Sequence, residues 1–345
     1  MNHIKLSSII FAIAASICMI SCKDDDETTV SPSLDGALTF NAPEYVSPNT
    51  TVSMVPSGVE HPDDEAIGYY WKVTPSMTKN DTTKFLNGLD KNGNPSDGTF
   101  NYTFGDTLQT YTINAYAYAT GYTYSMKTET CTVVDGGIDK SITNLGLADR
   151  SVATIGGVSY PYVTIGGLDW LCKNISDESA GAPYSNYKAM SDVFGRYYSY
   201  EEATTICPEG WRLPTDAEWT AALAANDNKI AALMGNGYFN DDLMWEYWPE
   251  VGEINNASGL SVIPVGYSLL SSKATDPKQD IYVDGTYPQA QFKGYMEYAV
   301  FWTADLAENE EGMAYYRYII CNQPEFMLGK GDTKTFGASV RCVRK

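Results

Sequence analysis

The run Cys207-Pro208-Glu209-Gly210-Trp211-Arg212-Leu213-Pro214-Thr215-Asp216-Ala217-Glu218-Trp219 holds a helix start that is legible residue by residue. Thr215 followed three places on by Glu218 is a capping box: the hydroxyl accepts an orphan amide of the first turn, and the carboxylate reaches back to the cap's own N–H. Pro214 orients the chain into the helix, and Asp216 and Glu218 suit the positive end of its dipole. Trp219, Ala222 and Leu223 recur at helical spacing as its buried side. The alanine-rich continuation predicts a helix running toward Met234 and ended by Gly235 and Gly237. Trp211 and Leu213 are expected to pack beneath the same helix. The run is a rigid corner around which a core nucleates, and it sets no nucleophile beside a base.

Outward from this corner, further blocks follow in a fixed order. Upstream lie Val163-Thr164-Ile165-Gly166-Gly167-Leu168-Asp169-Trp170, Lys173-Asn174-Ile175 and Gly195-Arg196-Tyr197-Tyr198-Ser199-Tyr200-Glu201-Glu202-Ala203. Downstream lie Gly259-Leu260-Ser261-Val262-Ile263-Pro264-Val265-Gly266-Tyr267, Phe301-Trp302-Thr303 and Ala338-Ser339-Val340-Arg341-Cys342-Val343. Together these blocks resemble the Fibrobacter succinogenes major paralogous domain family. The resemblance implies an α+β domain of C-type-lectin-like architecture, secreted or anchored at a surface, and it brings no established catalytic residues.

The length of 345 residues suits two modest domains plus tails. Aromatic residues make up 13%, with 26 tyrosines, as in extracellular binding scaffolds. A formal charge of −20 disfavours nucleic acid and anionic headgroups as partners. Met1 to Ser21 reads as an export signal, with Lys5 ahead of an apolar stretch from Ile9 to Ile20 too short to span a bilayer well. Met19-Ile20-Ser21-Cys22 resembles a bacterial lipobox, which implies acylation of Cys22 and contact with the membrane through that lipid alone. The acidic run Lys23-Asp24-Asp25-Asp26-Glu27 resembles the export tag of surface-exposed lipoproteins, which implies the outer membrane and its outward leaflet.

Between Ala37 and Asp135 the chain alternates in short runs: Ala37–Asn41, Thr51–Val55, Ile67–Val73, Thr99–Phe104, Thr110–Ala119 and Tyr124–Val134. Separated by Pro, Gly, Asn and Asp turns, they predict an all-β sandwich. Tyr111, Ile113, Ala115 and Ala117 would face one way, and Thr112, Asn114, Tyr116 and Tyr118 the other. Trp71, in Tyr69-Tyr70-Trp71-Lys72-Val73, stands where immunoglobulin-like domains bury a strand tryptophan, and Thr110 to Ala117 is similar to PKD-type repeats. The exposed turn Lys91 to Gly98 lacks the twelfth-position glutamate of a calcium loop. The expected organisation is a lipoprotein signal peptide at 1–21, a tether at 22–36, an immunoglobulin/PKD-like sandwich at 37–135, a connector at 136–150 and the family domain at 151–345. Later in that domain, a short helix is expected near Tyr200 to Thr205 and strands at Val262–Tyr267, Ala299–Thr303, Ala314–Ile320 and Ser339–Val343.

Of seven cysteines, Cys18 leaves with the leader and Cys22 takes the lipid; the remaining five are an odd number in an oxidising compartment. The four in the family domain, Cys172, Cys207, Cys321 and Cys342, allow three connectivities. The lectin-like architecture implied by the resemblance ties the cysteine beside the first long helix to the last strand, hence Cys207 with Cys342, leaving Cys172 with Cys321. Buried thiols throughout are the alternative.

The closing Arg341-Cys342-Val343-Arg344 and the Arg212 to Trp219 segment also resemble formylglycine-generating oxidases, which use two thiols upstream of a closing Arg-Cys. Aligned from the end, Cys321 takes the second thiol position and Tyr316 the first, so the pair of soft ligands is broken. His61 is the one histidine outside the leader, which weighs against a His-based triad or zinc cluster. No metal, cofactor or catalytic residue is expected. Trp170, Trp211, Trp219 and Trp302 are assigned to the core. Trp245, Tyr247 and Trp248, in an acidic irregular insertion, either stack on a ligand or cover the loop as a mini-core. The leading expectation is a cell-surface lipoprotein that captures a glycan or protein noncovalently, for adhesion. The alternatives are a degenerate oxidase or hydrolase, and an architectural subunit of a fimbria-like assembly.

Overall fold

A computed structural model of the chain describes residues 31–75, 82–85, 88, 96–271 and 281–345. The proposed leader, Cys22 and most of the Lys91 to Gly98 turn lie outside the described residues. Strands dominate, in several sheets, and helices are few and short.

Among the described residues, nine strands precede residue 134: β1 (Asp35–Thr39), β2 (Tyr45–Val46), β3 (Thr51–Met54), β4 (Ser57–Glu60), β5 (Gly68–Thr74), β6 (Thr82–Phe85), β7 (Phe100–Thr103), β8 (Thr110–Tyr118) and β9 (Ser125–Val133). One sheet runs in the order β2-β9-β8-β5-β6, with β2 parallel to β9 and the remaining pairs antiparallel. The pairs β1–β4 and β3–β7 contribute Leu38, Val59, Val52, Met54 and Phe100 to the same apolar cluster as the large sheet, so the core lies between layers. The alternation read in β8 holds: Tyr111, Ile113, Ala115 and Ala117 are buried, and their neighbours face outward. Trp71 is wholly buried, stacks on Phe100 with 5.4 Å between ring centroids, meets Phe40 edge-on at 5.0 Å, and donates its indole N–H to Gly98 O at 2.9 Å. Gly98 has φ +82°, and a Cβ there would lie 2.3 Å from the Tyr69 ring, so only glycine lets the chain approach the tryptophan.

The stretch expected as a connector contributes side chains to a core. Ile142, Leu145 and Leu147 are buried with Cys172, Val193, Phe194 and Phe239, and Ile142–Thr143 pairs with Tyr238–Phe239. Tyr45 of β2 meets Tyr184 and Tyr187 edge-on, at 6.4 and 5.9 Å, and so joins the two halves of the molecule.

Beyond residue 150, β10 (Ser151–Ile155), β11 (Val158–Ile165) and β12 (Leu168–Leu171) form an antiparallel meander. Three short helices follow, α1 (Ser191–Phe194), α2 (Tyr200–Ile206) and α3 (Asp216–Ala224). The later sheets of the domain are built from β13 (Tyr267–Leu269), β14 (Gln291–Lys293), β15 (Tyr298–Leu306), β16 (Met313–Ile320), β17 (Met327–Asp332), β18 (Phe336–Gly337) and β19 (Val343–Arg344). β19 closes the first meander beside β12; β15-β16-β17 form a second sheet, and β14-β13-β18 a third.

Both longer helices start on a complete capping box, Thr215 with Glu218 as read from the sequence and Ser199 with Glu202, which the sequence reading missed. Arg212 grips Glu218 with two hydrogen bonds at 2.8 and 2.6 Å, and the Asp305 carboxylate accepts the Asp216 N–H at 2.6 Å. The expected helix to Met234 stops at Ala224. Asp227 and Asn228 both take φ +56°, a conformation that Asp and Asn tolerate and a helix interior forbids, and a 3-10 turn at Ile230–Ala232 follows. Gly235 and Gly237 serve packing rather than termination: a Cβ at either would meet Leu145 Cδ2 at 2.8 or 2.7 Å.

The sheet containing β15 separates two cores. Ala299 and Phe301 face α3, where Trp219 packs against Trp170, Phe301 and Phe326 at 4.6, 5.2 and 5.4 Å. Val300 and Trp302 face α2, where Tyr200 meets Trp302 at 5.4 Å. Trp211 and Leu213 belong to this second core, under α2 and not under α3 as expected. The four tryptophans assigned to the core are all buried. Two expected strands are largely irregular: 262–266 pairs through bridges from Val262 to Met234 and Gly266 to Ala299, and 339–342 through a bridge from Ser339 to Phe301.

Candidate functional site

Cys207 and Cys342 are bonded, with 5.9 Å between Cα atoms, and tie the end of α2 to the last strand. Cys172 and Cys321 are free, which corrects the second pairing. They lie in different apolar clusters. The Cys172 thiol donates to Gly259 O at 3.3 Å, and Cys321 sits on the α3 side of the sheet. Cys131 is also a buried thiol. Burial pushes the thiols of Cys131 and Cys172 up to about 12 and about 11; Arg341 and Arg150 only partly offset this at Cys172. Such groups stay protonated at neutral pH and are poor nucleophiles. Cys321 and Tyr316, the positions aligned with the oxidase thiols, belong to cores on opposite sides of the sheet.

The insertion trio divides. Trp245 is fully buried with its indole N–H on Val262 O at 2.9 Å, so it is a core residue and offers no ring to a ligand, a correction to its place among the candidates. Trp248 packs half-buried on that same core, while Tyr247 is 64% exposed. The segment therefore extends the domain core and forms no separate mini-core. Burial raises the Cys321 thiol, helped by Glu246 and Glu297, and the adjoining Trp248 indole opposes the rise. By distance and angle Trp248 Nε1 makes no hydrogen bond, so this contact is an approach and nothing stronger.

Glu297 precedes a feature that the sequence reading missed. Tyr298 of β15, Tyr316 and Tyr318 of β16, Tyr267 of β13 and Phe336 of β18 form one continuous set of half-buried rings. Tyr316 stacks on Phe336 at 4.7 Å, Phe336 on Tyr267 at 5.4 Å, Tyr267 meets Tyr298 edge-on at 6.0 Å, and Tyr298 stacks on Tyr318 at 6.4 Å. The register opposing Val300 to Tyr318 and Trp302 to Tyr316 puts both β16 tyrosines on one side of the strand. Gly329 of β17 lets Tyr316 lie flat, since a Cβ there would meet its ring at 2.3 Å. Burial raises the phenols of Tyr298 and Tyr316, and Glu297 adds to the effect at Tyr298. The face presents ring surfaces and hydroxyl groups. That is the chemistry of stacking and hydrogen bonding. Tyr316 and Tyr318 were recoverable from their period of two; Tyr267 and Phe336 arrive through long-range pairing, which carries no local signal.

The same domain contains a buried polar knot. Arg341 is 1% exposed and has no carboxylate partner among the described residues; it donates to Asn174 Oδ1 at 2.6 Å, Leu171 O at 2.9 Å, Leu260 O at 3.0 Å and Ser261 O at 3.3 Å. Burial lowers it to about 10, still charged at neutral pH. The Lys173 amine, lowered by burial, donates to Gly136 O. A cavity of about 30 Å³ between these groups is too small for an organic substrate, so the knot acts as a clasp for irregular backbone.

Comparison with known proteins identifies a family for the second half. No curated protein matches the chain. Among solved structures, two variant forms of Superoxide reductase (Neelaredoxin) from Ignicoccus hospitalis are similar at 15% and 14% identity, each over 28% of this chain and 80% of that chain. Their TM-score of 0.21 is too low to carry an argument about fold or chemistry. Residues 163–344 match the Fibrobacter succinogenes major domain, a span that contains α3, the disulfide, the arginine clasp and the five-ring face. The chain belongs to the Fibrobacter succinogenes major domain family.

Proposed function

We propose that the protein is a cell-surface lipoprotein whose family domain captures a glycan or an extracellular protein without chemical turnover. In this reading Cys22 carries the acyl anchor in the outer membrane, 22–36 is the tether, 37–135 is an immunoglobulin-like spacer and 151–345 adopts a C-type-lectin-like arrangement. The observation that carries it is the half-buried face of Tyr267, Tyr298, Tyr316, Tyr318 and Phe336. Rings held in contact by two sheets lose little freedom on binding and present apolar ring surfaces together with hydroxyls, which suits the C–H face of a sugar or an apolar protein anchor.

The test is a screen of immobilised glycans and extracellular proteins with the full chain in mild detergent. A ligand should be retained, and Tyr318→Ala should weaken retention roughly tenfold, the loss expected of a stacked ring, with an unchanged thermal midpoint. Equal retention by the variant refutes the assignment of this face. Incorporation of labelled fatty acid that persists in Cys22→Ala refutes the anchor.

A further inference from the structure

A second aromatic surface lies on the other half of the molecule, on the outward side of the five-stranded sheet. Tyr70 of β5 stands opposite Tyr116 of β8, and Tyr116 opposite Met126 of β9, so three side chains form one row across three strands. The rings of Tyr70 and Tyr116 are 5.5 Å apart, and Tyr124 meets Tyr116 edge-on at 5.6 Å. Tyr124 is 64% and Met126 51% exposed, so this row offers its apolar surface to solvent. One row further along, Lys72, Asn114 and Thr128 stand opposite one another, with Thr128 Oγ1 donating to Asn114 Oδ1 at 2.8 Å. The next row is Thr74, Thr112 and Thr130. The face thus grades from ring surfaces into a lysine, an amide and hydroxyls.

Its charge stands apart from the rest of the chain. The protein carries −20, yet these rows of β5, β8 and β9 contain no carboxylate, and the charged group within them is Lys72. A strongly acidic protein repels a polyanion at most of its surface; here that repulsion is locally relieved beside a stacking platform. We propose that this face binds an extended acidic glycan, its sugar rings lying on Tyr70, Tyr116 and Tyr124 and a carboxylate of the uronate type reaching Lys72. The first half is then a second binding module and more than a spacer. This inference is independent of the face on the family domain.

Polygalacturonate is the probe, with a neutral glucan as comparison, in native affinity electrophoresis of the full chain in mild detergent. Polygalacturonate should retard the protein more than the glucan does, and the retardation should fall as salt rises. Tyr116→Ala should weaken binding roughly tenfold, as loss of a stacking ring does. Lys72→Gln should weaken it several-fold and flatten the salt dependence, whereas Tyr318→Ala on the family domain should leave it unchanged. Tyr124→Ala, at a largely exposed position, serves as the second variant if Tyr116→Ala loses the native near-ultraviolet circular dichroism. Absence of retardation, equal retardation by the neutral glucan, or insensitivity to both tyrosine variants overturns the proposal. A dimer in sedimentation that Tyr116→Ala dissociates also overturns it, since the face would then be occupied by a second copy.

Discussion

The two halves of the molecule solve the same problem by different means. Before residue 134, among the described residues, the buried polar side chains are His61 and Thr132, and ladders of regular strands satisfy the backbone. After it, Asn174, Ser191, Arg196, Ser261, Asp284, Ser339 and Arg341 are all buried, and many of their hydrogen bonds go to carbonyls of irregular chain. A strand pairs its amides with a neighbour; a loop that crosses a core must borrow donors from side chains. The first half is consequently held by apolar area, and the second by area together with hydrogen-bonded groups whose loss leaves buried acceptors without partners.

The largest expected effect follows from this contrast. Arg341→Met keeps length and apolar bulk but removes donors from four oxygens, and it should cost about 3–5 kcal/mol in urea unfolding followed by tryptophan fluorescence. Six of the seven tryptophans lie beyond residue 150, so the signal reports mainly on that half. A loss below about 1 kcal/mol would erase the distinction between the halves.

Asp284→Asn sharpens it along the pH axis. The Asp284 carboxylate lies 2.7 Å from buried Arg196; burial would raise it, but hydrogen bonds from the Thr286 N–H and from Arg196 hold it below the usual carboxylate value. A depressed carboxylate contributes stability that is present above its unfolded value and is lost as pH falls through the folded one. The variant should lose about 3 kcal/mol at neutral pH and show a shallower decline in acid than the parent. The same slope in both would dismiss the ion pair as a contributor. Smallest is Ile113→Val in the first half, expected to cost about 0.5–1.5 kcal/mol in urea unfolding followed by far-ultraviolet circular dichroism, the effect of one lost methyl group and its void. A loss as large as that of Arg341→Met would show that the first half depends on specific groups as much as the second.

The same contrast explains what was legible in the sequence. In β8 each side chain declares its face by a period of two, and the predicted strand matches within a residue of its observed end. Thr215 and Glu218 are local chemistry and were equally plain. β2, β4 and β6 escaped because runs as short or polar as Tyr45–Val46 and Ser57–Glu60 have no period to detect. The helix expected to reach Met234 ends early because alanine propensity is outweighed at Asn226-Asp227-Asn228, whose side chains favour turns. From its acidic, irregular surroundings Trp245 reads either as a ligand-stacking ring or as part of a local mini-core, yet its indole reaches Val262, seventeen positions away. The five-ring face joins positions 267, 298, 316, 318 and 336, and only the register of the sheets brings them together.

The Cys207–Cys342 bond spans 135 positions and encloses α3, the insertion that carries Trp245 and both sheets of the aromatic face. A single proteolytic cut anywhere inside that loop therefore releases nothing: the two fragments stay joined, and only reduction would reveal the wound. For the aromatic face, being clipped and being lost become separate events.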